Sequence, residues 1–297
     1  MFRLLVIVVL VFSSHSLESQ LSDIEENPNE EVDKLLLFLM NRNDFGYTLI
    51  GEKPVSIISF PYKRLLNSPY RSTFSHRALF DRIPNLKKAH PTTSFLWLTI
   101  EDDNAETFAL IHTESTKKVI LNHKEAFKLD RGATINEEMI KKIVSDCLTH
   151  CLHYELGLLL GYGESNSFHF SKQMTRLKKL SAIKFTTIKV PRKIKELPCD
   201  LIAQLKSTKK DFFLSQSNYS NQLVEEILCY EKAFVPLQQL HHPLPLECIG
   251  FPIFMVDKAS PESKSLLSKY LNAKRKISAI IKSDQSLELI KKAYTNA

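Results

Sequence analysis

The segment Phe95-Leu96-Trp97-Leu98-Thr99-Ile100, a polar break at Asp102-Asp103-Asn104, and Thr107-Phe108-Ala109-Leu110-Ile111-His112 is a pair of aromatic and β-branched runs around a turn. Runs of this kind with a short connection pair antiparallel, because a parallel partner would need a crossover of a dozen or more residues. Outward from it, a turn near Glu114-Ser115 predicts a further strand over Lys118 to Asn122. On the other side, Tyr47-Thr48-Leu49-Ile50, the turn Gly51-Glu52-Lys53-Pro54 and Val55 to Phe60 predict another hairpin. The sheet therefore belongs to the N-terminal half.

Helices surround it. Asn29 to Met40 places acids after an Asn cap. Thr134-Ile135-Asn136-Glu137 matches a capping box and Gly161 supplies a stop, which predicts one central helix from Ile135 to Leu160. At 100° per residue, Ile140, Ile143, Val144, Cys147, Leu148, Cys151, Tyr154 and Leu158 fall within about 80° of one direction, an inward-facing arc. Glu164 to Lys179 and Asn221 to Phe234 read as helices, and Ser260-Pro261 opens a long basic C-terminal one. Ile183 to Val190 and Pro252 to Val256 read as strands. The expected fold is α+β, an antiparallel sheet packed against the central helix and the C-terminal helices.

Composition bounds the class. The chain has 297 residues, 43% hydrophobic and 25% charged, with seven Gly and five Cys. That excludes collagen-like, disordered and disulfide-dense scaffolds. Residues 1–171 hold 18 bases and 22 acids, a net of −4, whereas residues 172–297 hold 22 bases and 11 acids, a net of +11. A basic C-terminal half suits an anionic surface or polymer. No specific nucleic-acid motif accompanies it, since the lysines come without the regular aromatic partners that stack bases.

At the N-terminus, Met1-Phe2-Arg3, the apolar run Leu4 to Phe12 and Ser13-Ser14-His15-Ser16 read as a secretory signal peptide over residues 1–16. The run is far short of the roughly 20 residues a membrane span needs. The expectation is an exported protein, periplasmic or secreted, with one α+β domain over 17–297 and no transmembrane segment after cleavage. Cys147, Cys151, Cys199, Cys229 and Cys248 are an odd set, which leaves at least one thiol free or intermolecular. A disulfide is expected only among Cys199, Cys229 and Cys248.

Candidate chemistry centres on the central helix. Glu155 shares the inward arc, so Cys147, Cys151 and Glu155 form an i, i+4, i+8 ridge. A carboxylate in such a stripe has its pKa raised by burial, which makes Glu155 a catalytic candidate with Cys151 beside it; a structural Glu is the competing reading. His150 and His153 fall on the outer side. Cys147, His150 and Cys151 lack a second ligand pair at zinc spacing, so no metal and no cofactor is assigned. His153-Tyr154-Glu155 with Pro198-Cys199 half matches a deaminase, but Ile202 stands where the second Cys belongs. The loop Gly161-Tyr162-Gly163-Glu164-Ser165-Asn166 leads into a helix, where free N–H groups can receive an anion. Gly161, Tyr162, Gly163, Ser165 and Asn166 are therefore the ligand-binding candidates, although no strand or Lys-Ser/Thr pair completes a phosphate loop.

Two segments carry a resemblance. Asp44-Phe45-Gly46-Tyr47-Thr48-Leu49-Ile50-Gly51-Glu52-Lys53-Pro54, together with Leu156-Gly157-Leu158-Leu159-Leu160-Gly161-Tyr162-Gly163 and Asn166, resembles an uncharacterised family of exported proteins of intracellular bacteria such as chlamydia-like organisms and legionellae. The resemblance implies export and a bacterial source, and it brings no activity. It points to the Gly-Tyr-Gly corner and the Tyr47 segment. The functional expectation is a non-enzymatic envelope or host-directed binding protein with a basic face; the alternative is a hydrolase-like enzyme using Glu155 beside the Gly161 loop.

Overall fold

A computed structural model describes residues 28–41, 44–61, 76–103, 105–130, 132–182, 226, 229–230, 233–240 and 254–296. The expected leader over residues 1–16, the strand expected over Ile183 to Val190, Cys199 and Cys248 lie outside these residues. In chain order the elements are α1 (Pro28–Asn41), α2 (Phe45–Leu49), β1 (Val55–Pro61), α3 (Arg77–Phe80), α4 (Ile83–Ala89), β2 (Phe95–Glu101) and β3 (Ala105–His112). Then come α5 (Thr113–Asn122), α6 (Glu137–Thr149), α7 (His153–Leu159), α8 (Glu164–Ala182), β4 (Phe234–Pro236), β5 (Met255–Asp257), α9 (Pro261–Ile281) and α10 (Ser286–Asn296). The chain is α+β.

The sheet order is β1-β3-β2, both pairs antiparallel, with Val55 opposite Ile111 and Phe95 opposite His112. Asp102 closes the β2–β3 turn from both sides: its carboxylate and its amide N–H both bond Ala105, each at 3.0 Å. Because side chains alternate along a strand, the sheet buries two faces. Ile58, Phe60, Phe95, Trp97, Phe108 and Leu110 meet α1, α2, α9 and α10 through Leu36, Leu39, Phe45, Ile277 and Tyr294. Val55, Leu96, Ala109 and Ile111 meet Ile120 of α5, Ile140, Val144 and Cys147 of α6, and Leu159 of α7. Each fully buried aliphatic or aromatic side chain contributes about 1.5–3 kcal/mol, so a three-stranded sheet covered on both faces is stable where a bare one is not.

Four expectations are corrected. Tyr47 to Leu49 belongs to helix α2, not to a strand. Short aromatic and β-branched runs are ambiguous, and here packing of the Tyr47 ring edge-on to Tyr270 at 5.4 Å decides. Lys118 to Asn122 is the second half of α5, not a strand; Thr116 and Ile120 supply its buried side at helical spacing. That helix starts directly at the end of β3 because His112 caps it, its ring Nδ1 accepting the Ser115 N–H at 3.1 Å. Phe234 begins β4 rather than ending a helix, although Glu226, Cys229 and Tyr230 are helical. The central helix is two helices, as described below. Cys147, Cys151 and Cys229 are free thiols. Among the described residues no helix is long and apolar enough to cross a membrane.

Candidate functional site

Helix α6 is capped by Asn136, whose side chain accepts the Met139 N–H at 2.9 Å, two residues inside the expected Thr134 cap. It ends at Thr149. Cys151 takes a left-handed conformation, φ 52°, and the Leu152 N–H turns back to the Cys147 carbonyl at 3.1 Å, the long bond of a Schellman end. Left-handed backbone costs a non-glycine residue about 1–2 kcal/mol, and α7 restarts at His153 after that bend. The expected continuous helix from Ile135 to Leu160 is thus broken at His150-Cys151-Leu152. Neither Gly nor Pro marks the place; Thr149, His150 and Cys151 are merely weak helix formers.

The break dissolves the Cys147–Cys151–Glu155 ridge. Cys147 stays in the core, its thiol pushed up to about 12 by burial and then by the Glu155 and Asp146 carboxylates. It is a thiol at neutral pH, whereas the nucleophile is the thiolate. Cys151 and Glu155 are half-buried at the opening of α7. His153 also departs from the outward position expected of it. Its ring is half-buried edge-on to Phe170 at 5.9 Å, its Nδ1 lacks a hydrogen-bond partner among the described residues, and burial lowers its pKa against the opposing pull of Glu155. Among the described residues no three His, Cys, Asp or Glu side chains converge where they could hold a metal ion.

The Gly161 corner lies at the other end of α7, about 10 Å along its axis. Gly161 has φ +75°, and the Gly161 and Tyr162 N–H groups return to Leu158 and Gly157 at 3.0 Å each, a complete Schellman motif. Gly163 follows at φ +83°, and α8 begins at Glu164. The N–H groups at that helix start, which sequence reasoning offers to an external anion, already hold one. The Glu262 carboxylate from the first turn of α9 accepts from Glu164 at 2.7 Å, Ser165 at 3.4 Å and Asn166 at 3.3 Å. A negative group at the positive end of a helix dipole, with direct N–H bonds, is the arrangement that makes such termini anion sites. Here the anion is part of the chain.

Asn166 is 1% exposed, and both ends of its side-chain amide are bonded. Its Nδ2 donates to the Tyr162 carbonyl at 3.0 Å, while its Oδ1 accepts from the Asp257 N–H at 3.2 Å and the Ser263 hydroxyl at 3.3 Å. Tyr162 stacks on Phe254 at 4.3 Å. The five corner residues are therefore brought together, and Glu155 and Cys151 are not among them.

Sequence reasoning missed what lies beneath. Lys53, 1% exposed, forms an ion pair with Asp44. Burial lowers the Lys53 pKa and the Asp44 charge opposes the shift. Burial first and Asp44 second hold the hydroxyls of Tyr47, Tyr162 and Tyr270 well above the usual tyrosine range, so all three are neutral donors. The Tyr270 hydroxyl donates to the Gly161 carbonyl at 3.0 Å. A Cβ on Gly161 would stand 2.5 Å from that hydroxyl oxygen and 3.3 Å from Pro54. The two segments that carry the resemblance, remote in sequence, thus meet at this corner. The corner was readable from its glycines, whereas only the resemblance marked Asp44 and Lys53. No family model, no curated protein and no solved structure matches the chain.

Proposed function

We propose that this is a non-enzymatic binding protein, exported behind residues 1–16, that meets an anionic surface through the outer face of α9. The observation that carries the reading is the charge on that face. At 100° per residue Lys264, Lys269, Arg275, Lys276 and the C-cap Lys282 fall within about 140°, all exposed, with Ser265, Ser268, Asn272 and Ala279 between them. No acid shares the arc, because Glu262 turns to the α8 terminus. From Lys264 to Lys282 the stripe is about 27 Å long. Lys276 also reaches Glu52 at 2.9 Å, an exposed pair of little energetic weight. The hydrolase reading has less support: Cys151 and Glu155 stand at the opening of α7, the end away from the Gly161 corner, and the loop that would receive a substrate anion is filled by Glu262.

Each base near an anionic membrane contributes about 1 kcal/mol, so Lys264→Gln, Arg275→Gln and Lys282→Gln together should weaken binding to phosphatidylserine-containing vesicles about 100-fold. Binding should also vanish near 1 M salt, where the Debye length falls to about 3 Å. Equal binding to neutral vesicles, or a triple variant that binds as the parent does, would remove this surface from consideration.

Export has its own test. N-terminal sequencing of the mature protein is expected to begin at or within a few residues of Leu17, and recovery of intact Met1 in the cytoplasm would end that part of the proposal.

A further inference from the structure

We infer that His112 is an acid-operated latch: a proton taken from solvent at its ring Nδ1 releases the first turn of α5 from the turn at residues 51–54. At neutral pH the latch is closed. The Ser115 N–H can only donate, and it donates to Nδ1 at 3.1 Å, so Nδ1 carries no proton and the ring is the neutral tautomer with its hydrogen on Nε2. The same helix start grips the turn ahead of β1. The Ser115 hydroxyl donates to the Gly51 carbonyl at 2.8 Å, and the Pro54 carbonyl accepts from the His112 N–H at 2.8 Å and from the Thr116 hydroxyl at 3.1 Å. Gly51, at φ +75°, lets the ring lie close, since a Cβ there would stand 3.3 Å from Nε2.

Protonation opposes each part of this arrangement. A hydrogen on Nδ1 would face the Ser115 N–H, donor against donor, at the place where α5 now has its cap. The imidazolium would also stand at the positive end of the α5 dipole. The residue is buried, 7% exposed, with the Phe95 ring edge-on at 5.2 Å, so the cation would lose most of its hydration. Histidine is the side chain whose charge changes near neutral pH, and a ring that serves as an acceptor only while neutral turns that change into a structural one.

Neighbouring charges do not offset this. In α5 the Glu114 carboxylate favours the cation, but burial outweighs it and holds the His112 pKa below the ordinary histidine value. In the turn, Glu52 pairs with Lys276 of α9 at 2.9 Å and Lys53 pairs with Asp44. Strand β1 brings no charged residue, β2 brings Phe95, and behind Phe95 α10 brings the Tyr294 hydroxyl, held neutral by burial. The sign follows. A histidine in water titrates near 6.5, and the closed ring takes its proton only at lower pH, so the open state binds more protons as pH falls below about 6.5. The closed latch is therefore lost progressively from about pH 6.5 down to the pKa of the closed ring. It does not depend on what α9 binds.

Amide hydrogen exchange of the full chain at pH 7.5 and 5.5, corrected for the intrinsic effect of pH on exchange, reads the latch where it acts. Protection of the α5 amides from Ser115 onward should fall about fivefold or more at pH 5.5, while the β3 amides from Phe108 to Ile111 keep theirs. His112→Asn retains an acceptor for the Ser115 N–H and cannot titrate, so its α5 should be equally protected at both pH values. The other nine of the ten histidines titrate in parent and variant alike, and the difference between the two isolates His112. In NMR spectra of the parent, the His112 ring should be the Nε2–H tautomer at pH 7.5 and should titrate below about 6.5. Equal loss of protection in parent and variant would overturn the inference, and so would a loss in β3 as large as that in α5. A His112 ring that titrates at or above about 6.5 would overturn it without any variant.

Discussion

Asp44→Asn is expected to destabilise the protein by about 3–5 kcal/mol at pH 7, the range for breaking a buried ion pair from one side. Lys53 is the reason. Its ammonium is buried against Asp44, and without the carboxylate it must either remain as an uncompensated cation or shed its proton. Shedding it sets a ceiling, because neutralising an amine of ordinary pKa about 10.4 at pH 7 costs about 1.4 kcal/mol per unit, or ~5 kcal/mol. The sign of the pH dependence follows. With Lys53 neutral in the folded variant and protonated in the unfolded chain, the unfolded state binds more protons, so the variant gains stability as pH rises from 7 towards 10. The penalty should therefore shrink by about 1.4 kcal/mol per pH unit, to roughly 2 kcal/mol at pH 9. Adding Lys53→Met to Asp44→Asn should recover most of the loss, since an apolar side chain of similar length needs no partner. Urea unfolding of the parent and both variants at pH 7 and 9 measures all of this. A penalty below about 1 kcal/mol, or one that grows with pH, would mean that the pair does not bear on folding.

The sheet was legible because its pattern is local. Phe95 and Trp97 face one core and Leu96 the other, as alternation along a strand requires. The strongest helix signals were local too: Asn136 and the acids after it start α6, and Ser260-Pro261 starts α9. What escaped is what distant residues decide. The five residues of α2 are helical because Tyr47 packs on Tyr270, and α5 exists beside β3 because a histidine ring serves as its cap, a role that composition does not advertise. Cys151 bends the chain without a glycine, so the apolar period from Ile140 to Leu158 reads as one helix when it is two. At the candidate site the corner residues were readable from their glycines, whereas their occupant, Glu262, sits on another helix and left no mark near the loop.

The division of charge along the chain also has an internal part. Lys291 of α10 reaches Asp33 of α1 at 3.0 Å, and Lys276 reaches Glu52 at 2.9 Å, so bases from the C-terminal half meet acids from the N-terminal half. These contacts orient the two halves more than they stabilise them, because ion pairs that solvent still reaches contribute about 0–1 kcal/mol. The outer arc of α9 keeps a basic excess beside the Lys276–Glu52 contact, since no acid of that helix shares it, and it is the arc that faces away from both cores.

Gly163→Ala is expected to cost about 3 kcal/mol, through two effects that act together. The left-handed backbone at φ +83° costs a residue with a Cβ about 1–2 kcal/mol. The new methyl would also stand 2.6 Å from the Glu262 carboxyl carbon, so the carboxylate must withdraw from the N–H groups of Glu164, Ser165 and Asn166. Hydrogen bonds to a charged group contribute about 1.5–3 kcal/mol, and Glu262→Ala alone should cost about 2 kcal/mol. In the double variant the carboxylate can be lost only once, so the penalties should fall short of additivity by at least about 1 kcal/mol. Additive penalties within about 0.5 kcal/mol would mean that Glu262 and Gly163 act independently and that the corner is not closed by this contact. The single Glu262→Ala variant offers a second reading of the same geometry. Its α8 N–H groups are open, with the helix dipole behind them, so millimolar phosphate should raise its melting temperature while leaving the parent, already occupied by its own carboxylate, unchanged. A parent stabilised by phosphate as strongly as the variant would place the anion elsewhere.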